Sequence, residues 1–225
     1  MYIPPHFIED RVEVLHDAVR NGGLATLVTM TADGMIASHL PLLLDPDPAP
    51  YGTLVGHLAR ANPQTKTTDI AVQAMVVFHG PDGYVSPSLY ATKRETEKVV
   101  PTWNYVAIHA YGTIAFFDDP ERLLGVVTRL TEKHETPRAQ PWAVTDAPAD
   151  FVQGMLRAIV GVSIPIARLE GKYKLSQNRP TADHAGIVSG LEADGKTDLA
   201  AQVAHALPTV AQALPTVAHA LGDKA

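Results

Sequence analysis

Val-Gly-Val-Ser-Ile-Pro-Ile-Ala-Arg-Leu (160–169) runs through Glu170 into Gly-Lys-Tyr-Lys-Leu-Ser-Gln-Asn-Arg-Pro (171–180). The first half is apolar and β-branched and predicts a strand, the last of the chain. The second half holds two lysines, an arginine and the hydrogen-bonding side chains of Ser176, Gln177 and Asn178. Pro180 then marks a helix start, with a short helix over about 182–191. A polar turn before a helix accounts for some of this composition, but the density of cations and amides is high for a connector.

Working outward, two further stretches share the character. Gly-His-Leu-Ala-Arg-Ala-Asn-Pro-Gln (56–64) places Arg60 and Asn62 just past a strand, and Val-Pro-Thr-Trp-Asn-Tyr (100–105) places Thr102, Trp103 and Asn104 at the entry to another. Read alone, Asn-Pro is a turn signal and a lone arginine is a solvated one. Read together, the three stretches suit a flat, polar-edged anion. Cations hold a phosphate, amides hold a ring edge and an aromatic covers a ring face, which describes FMN. Tyr84, Ser86 and Ser88, in Tyr-Val-Ser-Pro-Ser, read first as a turn and second as ligand contacts.

The surrounding pattern is mainly β. Ile8, Val12, Leu15 and Val19 repeat at helical spacing up to Gly22-Gly23. Residues 24–31 and 35–44 flank Ala-Asp-Gly, a hairpin signal. Strands are predicted at 53–58 and 72–79, a turn at Pro81-Asp82-Gly83, and a long β run over 103–117. Asp119-Pro120 opens a helix with Leu123, Val127 and Leu130 on its buried face, and a second helix covers about 148–159. Six or seven strands without βαβ alternation predict a barrel with added helices, not a doubly wound sheet.

Composition bounds the function. The 225 residues are 46% hydrophobic and 19% charged, enough for a real core, and the net charge is −6. That balance lacks the global basic face of a free-standing DNA binder. The connector between the two helices, over 136–147, holds Pro137 and Pro141 and is too long for a helix-turn-helix. There is no cysteine, which removes disulfides, thiolate metal sites and cysteine nucleophiles. None of the ten histidines falls in a strong metal-ligand spacing, so no metal is expected. His39, His57, His79 and His109 lie on or near strands and read as packed or hydrogen-bonded residues. No apolar run spans a bilayer, and a soluble cytoplasmic protein is the expectation. Leu207–Ala213 and Leu214–Ala220 form a seven-residue repeat with an earlier degenerate copy at 200–206; two prolines interrupt any helix there. The expected organisation is one domain over 1–195 and a weakly ordered tail over 196–225.

The three stretches, with Met-Tyr-Ile-Pro (1–4), Ala-Ser-His-Leu-Pro-Leu-Leu-Leu (37–44), Gln-Pro-Trp-Ala-Val (140–144) and the full run 169–180, closely resemble the PaiB family of FMN-binding negative transcriptional regulators. The resemblance covers residues 1 to about 195. It implies a mainly β α+β fold, a six-stranded antiparallel split barrel, with FMN as cofactor and a homodimer as the assembly. By analogy with related split-barrel flavoproteins, Ser38, His39 and Leu40 flank the flavin, Arg60 and Asn62 sit near the phosphate, and Ser86 and Ser88 contribute. Thr102, Trp103, Asn104, Lys174, Gln177, Asn178 and Arg179 complete the pocket, partly from the second subunit. Leu89 stands where the family is expected to have Trp. Three functions follow: an FMN-binding negative regulator, a flavin-dependent oxidoreductase with a small substrate, and a haem-binding or haem-degrading protein using a strand histidine. The acidic charge argues against direct DNA contact.

Overall fold

The computed structural model describes residues 1–206; the repeat at 207–220 lies outside the described residues. In chain order the elements are β1 (Ile8–Glu9), α1 (Val12–Asn21), β2 (Ala25–Thr31), β3 (Gly34–Leu40), β4 (Leu43–Asp45), β5 (Thr53–Ala59) and the short α2 (Gln64–Thr67). Then come β6 (Ala74–Val85), the short α3 (Lys93–Thr96), β7 (Thr102–Gly112), β8 (Ala115–Phe117), α4 (Pro120–Glu135) and α5 (Ala149–Arg157). The described residues end with β9 (Ile159–Pro165), β10 (Arg168–Lys174), α6 (Thr181–Ala193) and α7 (Thr197–His205). The strands form a six-stranded sheet, ordered β1-β10-β7-β6-β2-β3, and a four-stranded sheet, ordered β4-β5-β9-β8.

The chain divides into two compact units. The first comprises Met1–Pro4, Ile8–Gly80 and Val106–Tyr173. Its core is aliphatic: Leu15 and Val19 of α1 pack with Leu27, Leu40, Leu54, Val76, Ile108, Val162 and Ile164 from the strands. β2 and β3 form the expected hairpin, in register from Ala25↔Leu40 to Thr31↔Gly34. Gly34 takes the turn at φ +115°, a conformation that side chains resist. β5 pairs with β9 from Thr53↔Pro165 to Ala59↔Ile159. That register fixes the end of β5, where Arg60 follows. A smaller cluster, Leu43, Val55, Val126 and Leu130, seats α4. The Asp119 carboxylate caps α4 by accepting from the Arg122 N–H at 2.7 Å, as Asp-Pro predicts. Its buried face runs through Leu123, Val126 and Leu130, so Val126 takes the place expected for Val127.

The second unit comprises Pro5–Phe7, Pro81–Tyr105 and the chain from Lys174 onward. Ile187 and Leu191 of α6 and Leu199, Ala200 and Val203 of α7 are buried. The start of the expected tail is thus a packed helix. At the N-terminus of α6 the fully buried Asp183 accepts from the Thr92 N–H at 2.9 Å and hydroxyl at 3.0 Å.

Three sequence readings change. Pro81-Asp82-Gly83 is not a turn but the continuation of the twelve-residue β6. Gly83 is there for packing: a Cβ would come within 2.8 Å of Leu199 and 3.4 Å of Leu191. The expected last strand at 160–169 is two strands, β9 and β10. The long β run is likewise two, with Gly112 ending β7 where a Cβ would collide with the Pro165 carbonyl.

Candidate functional site

The candidate residues fall into two groups, one in each unit. Ser38, His39, Leu40, Arg60 and Asn62 belong to the first. Asn62 organises this group. Its amide N–H donates to the Ser38 hydroxyl at 2.8 Å, and its amide oxygen accepts from the Gln64 backbone N–H at 3.0 Å. The residue therefore serves both as a turn former and as a tie between the loop and β3. Gln64, fully buried, donates from Nε2 to the Thr29 hydroxyl at 2.9 Å and approaches the carbonyls of Leu27 (3.4 Å) and Ile36 (3.5 Å). It locks α2 onto the β2–β3 hairpin. His39 Nδ1 is hydrogen-bonded to the Thr26 hydroxyl at 3.1 Å across that hairpin. Leu40 is 3% exposed and part of the core, so its side chain is not available to a ligand.

Arg60 is held rigidly. Its Nε donates to the Arg157 carbonyl at 2.8 Å and Nη2 to the Ile159 carbonyl at 2.9 Å, while Nη1 lies 3.8 Å from the Asp118 carboxylate. It lines a cleft of about 250 Å³ with Thr65, Lys66, Phe116, Phe117, Asp118 and Val160. Two cations against one carboxylate suit a phosphate monoester, while the Thr65 hydroxyl already donates to the Asn62 carbonyl at 2.9 Å. Thr65 and Lys66 were missed in the sequence. The stretch 56–64 reads as ending in a turn at Asn62-Pro63, whereas Pro63 begins the helical turn that puts Lys66 on the same cleft as Arg60.

In the second unit the Lys174 ammonium donates to the Thr102 hydroxyl and to the Trp103 carbonyl, the latter at 2.7 Å. It lies 6.0 Å from the Tyr105 ring centroid. Asn104 is fully buried and exchanges two hydrogen bonds with Ser176, at 2.9 and 3.1 Å. Its amide is spent on holding the loop after β10. Ser176 needs holding: its φ is +66°, left-handed for a residue with a side chain. A hydrogen bond at 3.0 Å joins His184 Nε2 to the Ser176 carbonyl. The Gln177 amide oxygen accepts from the Leu175 N–H at 2.8 Å. Arg179 stacks 4.3 Å over Tyr90 and donates to the Val100 carbonyl at 3.4 Å. Ser86 caps a 3₁₀ turn by accepting from the Ser88 N–H at 3.2 Å. Trp103 is 54% exposed and meets Tyr84 edge to face at 6.2 Å. Asn178 is exposed.

The strand histidines divide. His109 pairs with the Tyr111 hydroxyl at 3.2 Å, and His57 buries an Nδ1 with no hydrogen-bond partner. Burial lowers the pKa of both. Among the described residues no cluster of three metal-ligating side chains occurs, and no helix is long and apolar enough to cross a membrane.

Comparison with known proteins places the chain in a family. Residues 1–168 match the family described as "Putative FMN-binding domain". The chain is 33% identical over 192 residues to the "Protease synthase and sporulation protein PAI 2" of Bacillus subtilis, covering 85% of this chain and 89% of that one. It is 32% identical over 240 residues to the "Uncharacterized protein AN0679" of Emericella nidulans, covering 91% and 95%. The crystal structure of the conserved hypothetical protein Rv2991 from Mycobacterium tuberculosis superposes with a TM-score of 0.56 at 15% identity, over 80% of this chain and 94% of that one. The antiparallel α+β fold is of the split-barrel flavin-binding class, its cofactor is FMN, and the chain belongs to the PaiB-type FMN-binding family.

Proposed function

We propose that the protein works as an FMN-binding homodimer that lowers gene expression from the cytoplasm without itself reading a DNA sequence. The observation that carries the FMN part is the cleft where Arg60, Lys66 and Thr65 converge. Lys66 and the Nη1 edge of Arg60 would hold the phosphate, and Ser38 and Asn62 would present hydroxyl and amide groups to the ring edge. FMN supplies redox chemistry at its ring system. This chain's residues bind, orient and desolvate it. The regulatory part is supported by the Bacillus relative, whose name ties it to protease synthesis and sporulation.

The indirect route rests on charge. The chain carries a net −6, and the cations of α3, Lys93 and Arg94, alternate with Glu95 and Glu97. α4 and α5 are separated by residues 136–148, far more than a helix-turn-helix allows. The dimer is supported by apolar surface a monomer would leave wet: Met35 is 76% exposed and Ile70 60%. Two measurements test this. Sedimentation of FMN-loaded protein is expected to give a dimer with two FMN; a stable monomer with full FMN overturns the assembly. Gel-shift titration with promoter fragments at about 0.15 M salt is expected to show weak binding without sequence preference. Tight, competitor-resistant binding to one fragment overturns the indirect route.

A further inference from the structure

Between α4 and α5 lies a cleft of about 550 Å³ that shares no lining residue with the Arg60 cleft. Its size is that of a small-molecule site. Leu124, Val144 and Val152 supply apolar wall, Thr128 and Thr131 supply hydroxyls, and Trp142 stands at the mouth. Trp142 is 48% exposed, so part of its indole faces solvent. Its loop is pinned on both sides. The Trp142 backbone N–H donates to the Glu135 carboxylate at 3.0 Å and the Ala143 backbone N–H to the Asp146 carboxylate at 2.9 Å. These bonds fix the backbone that carries the indole, which lowers the ordering cost of a ligand that stacks on it.

The charges of the cleft are uneven. Glu135 is neutralised by Arg138, whose Nε lies 3.2 Å from it. Asp146 is spent on the loop. Glu132, one turn before Thr136 on α4, is exposed on the cleft, and among the described residues no cation pairs with it. An apolar wall, an indole face and one uncompensated carboxylate together select a cation with an apolar body.

We propose that this cleft binds a small aralkyl amine, with Trp142 covering its ring or its ammonium and Glu132 accepting the N–H⁺. The test is calorimetry on FMN-loaded protein with three probes of one shape: phenethylamine, phenethyl alcohol and hydrocinnamate. Phenethylamine is expected to bind saturably below about 1 mM, a small-ligand affinity. The alcohol should bind about fivefold more weakly, the size of one partly solvated ion pair, and the carboxylate more weakly still. Glu132→Gln should bring the amine down to the level of the alcohol and leave the alcohol unchanged. Trp142→Ala should remove amine binding, and Trp142→Phe should restore part of it. Both position-142 variants are to be scored only as folded protein, by FMN content and melting temperature equal to those of the parent. No saturable amine binding, equal affinity for amine and carboxylate, or a Glu132→Gln protein that still prefers the amine would each overturn the proposal.

Discussion

Removing the Lys66 ammonium separates phosphate binding from every other feature of the site. Lys66 lines the cleft with Arg60 and is exposed, and among the described residues its side chain makes no hydrogen bond or ion pair, so Lys66→Ala leaves α2 and its Gln64 anchor in place. A charge-assisted hydrogen bond contributes about 1.5–3 kcal/mol. Exposure places Lys66 at the lower end, since water and salt screen it. A loss of about 1.4 kcal/mol is a tenfold weaker Kd. FMN titrated into apo-protein, followed by flavin fluorescence, should therefore bind about tenfold more weakly, and riboflavin, which has no phosphate, should bind as before. The FMN deficit should shrink as salt rises. Arg60→Ala is the contrasting case. Its guanidinium also holds the Arg157 and Ile159 carbonyls, so this variant should lose FMN affinity and lower the melting temperature together. Equal losses of FMN and riboflavin on Lys66→Ala, or no loss of either, would refute the placement of the phosphate in this cleft.

Three further outcomes are expected. Gly161→Ala should destabilise by about 1–3 kcal/mol in urea unfolding, because a Cβ there enters the Phe117 ring; an unchanged midpoint would mean that the ring swings clear. Asp183→Ala should cost about 1–3 kcal/mol, since it strips the half-buried Thr92 N–H and hydroxyl of their acceptor, and Asp183→Asn should recover part. Finally, His57 and His109 are kept neutral in the fold by burial, so their folded pKa values lie below the unfolded value of about 6.5. The unfolded chain takes up these protons first, so stability is present above pH about 6.5 and falls as pH drops below it. His57→Phe should flatten that fall in urea midpoints between pH 7.5 and 5, and an unaltered slope would exclude His57 from it.

The sequence makes the strand-rich architecture legible wherever apolar alternation and turn chemistry agree. The β2–β3 hairpin and the Asp119 cap of α4 are such places. It misleads where a residue serves packing that no local signal reveals. Pro81-Asp82-Gly83 carries turn chemistry, yet Gly83 exists to admit Leu199 from a helix more than a hundred residues later. The site shows the same division. Residue types announce a polar, anionic ligand; Asn62 and Ser38 are joined by a hydrogen bond, and Arg60 lines a cleft. What spacing cannot show is which amides are already spent. Asn104 looks like a ligand contact in Thr-Trp-Asn and is a buried clamp on Ser176. Lys66 looks like a solvated surface lysine and faces the cleft.

The buried amide of Gln64 has a kinetic consequence. Because it fastens α2 to the hairpin before any ligand arrives, the segment bearing Thr65 and Lys66 has no ordering step left to perform on encounter. Uptake of the cofactor into that cleft should then be set by collision and electrostatic attraction, with a single concentration-dependent phase in stopped flow and a rate that falls with salt. Loosening the anchor, as in Gln64→Ala, would convert capture into a slower two-step process in which the loop must first find its own shape.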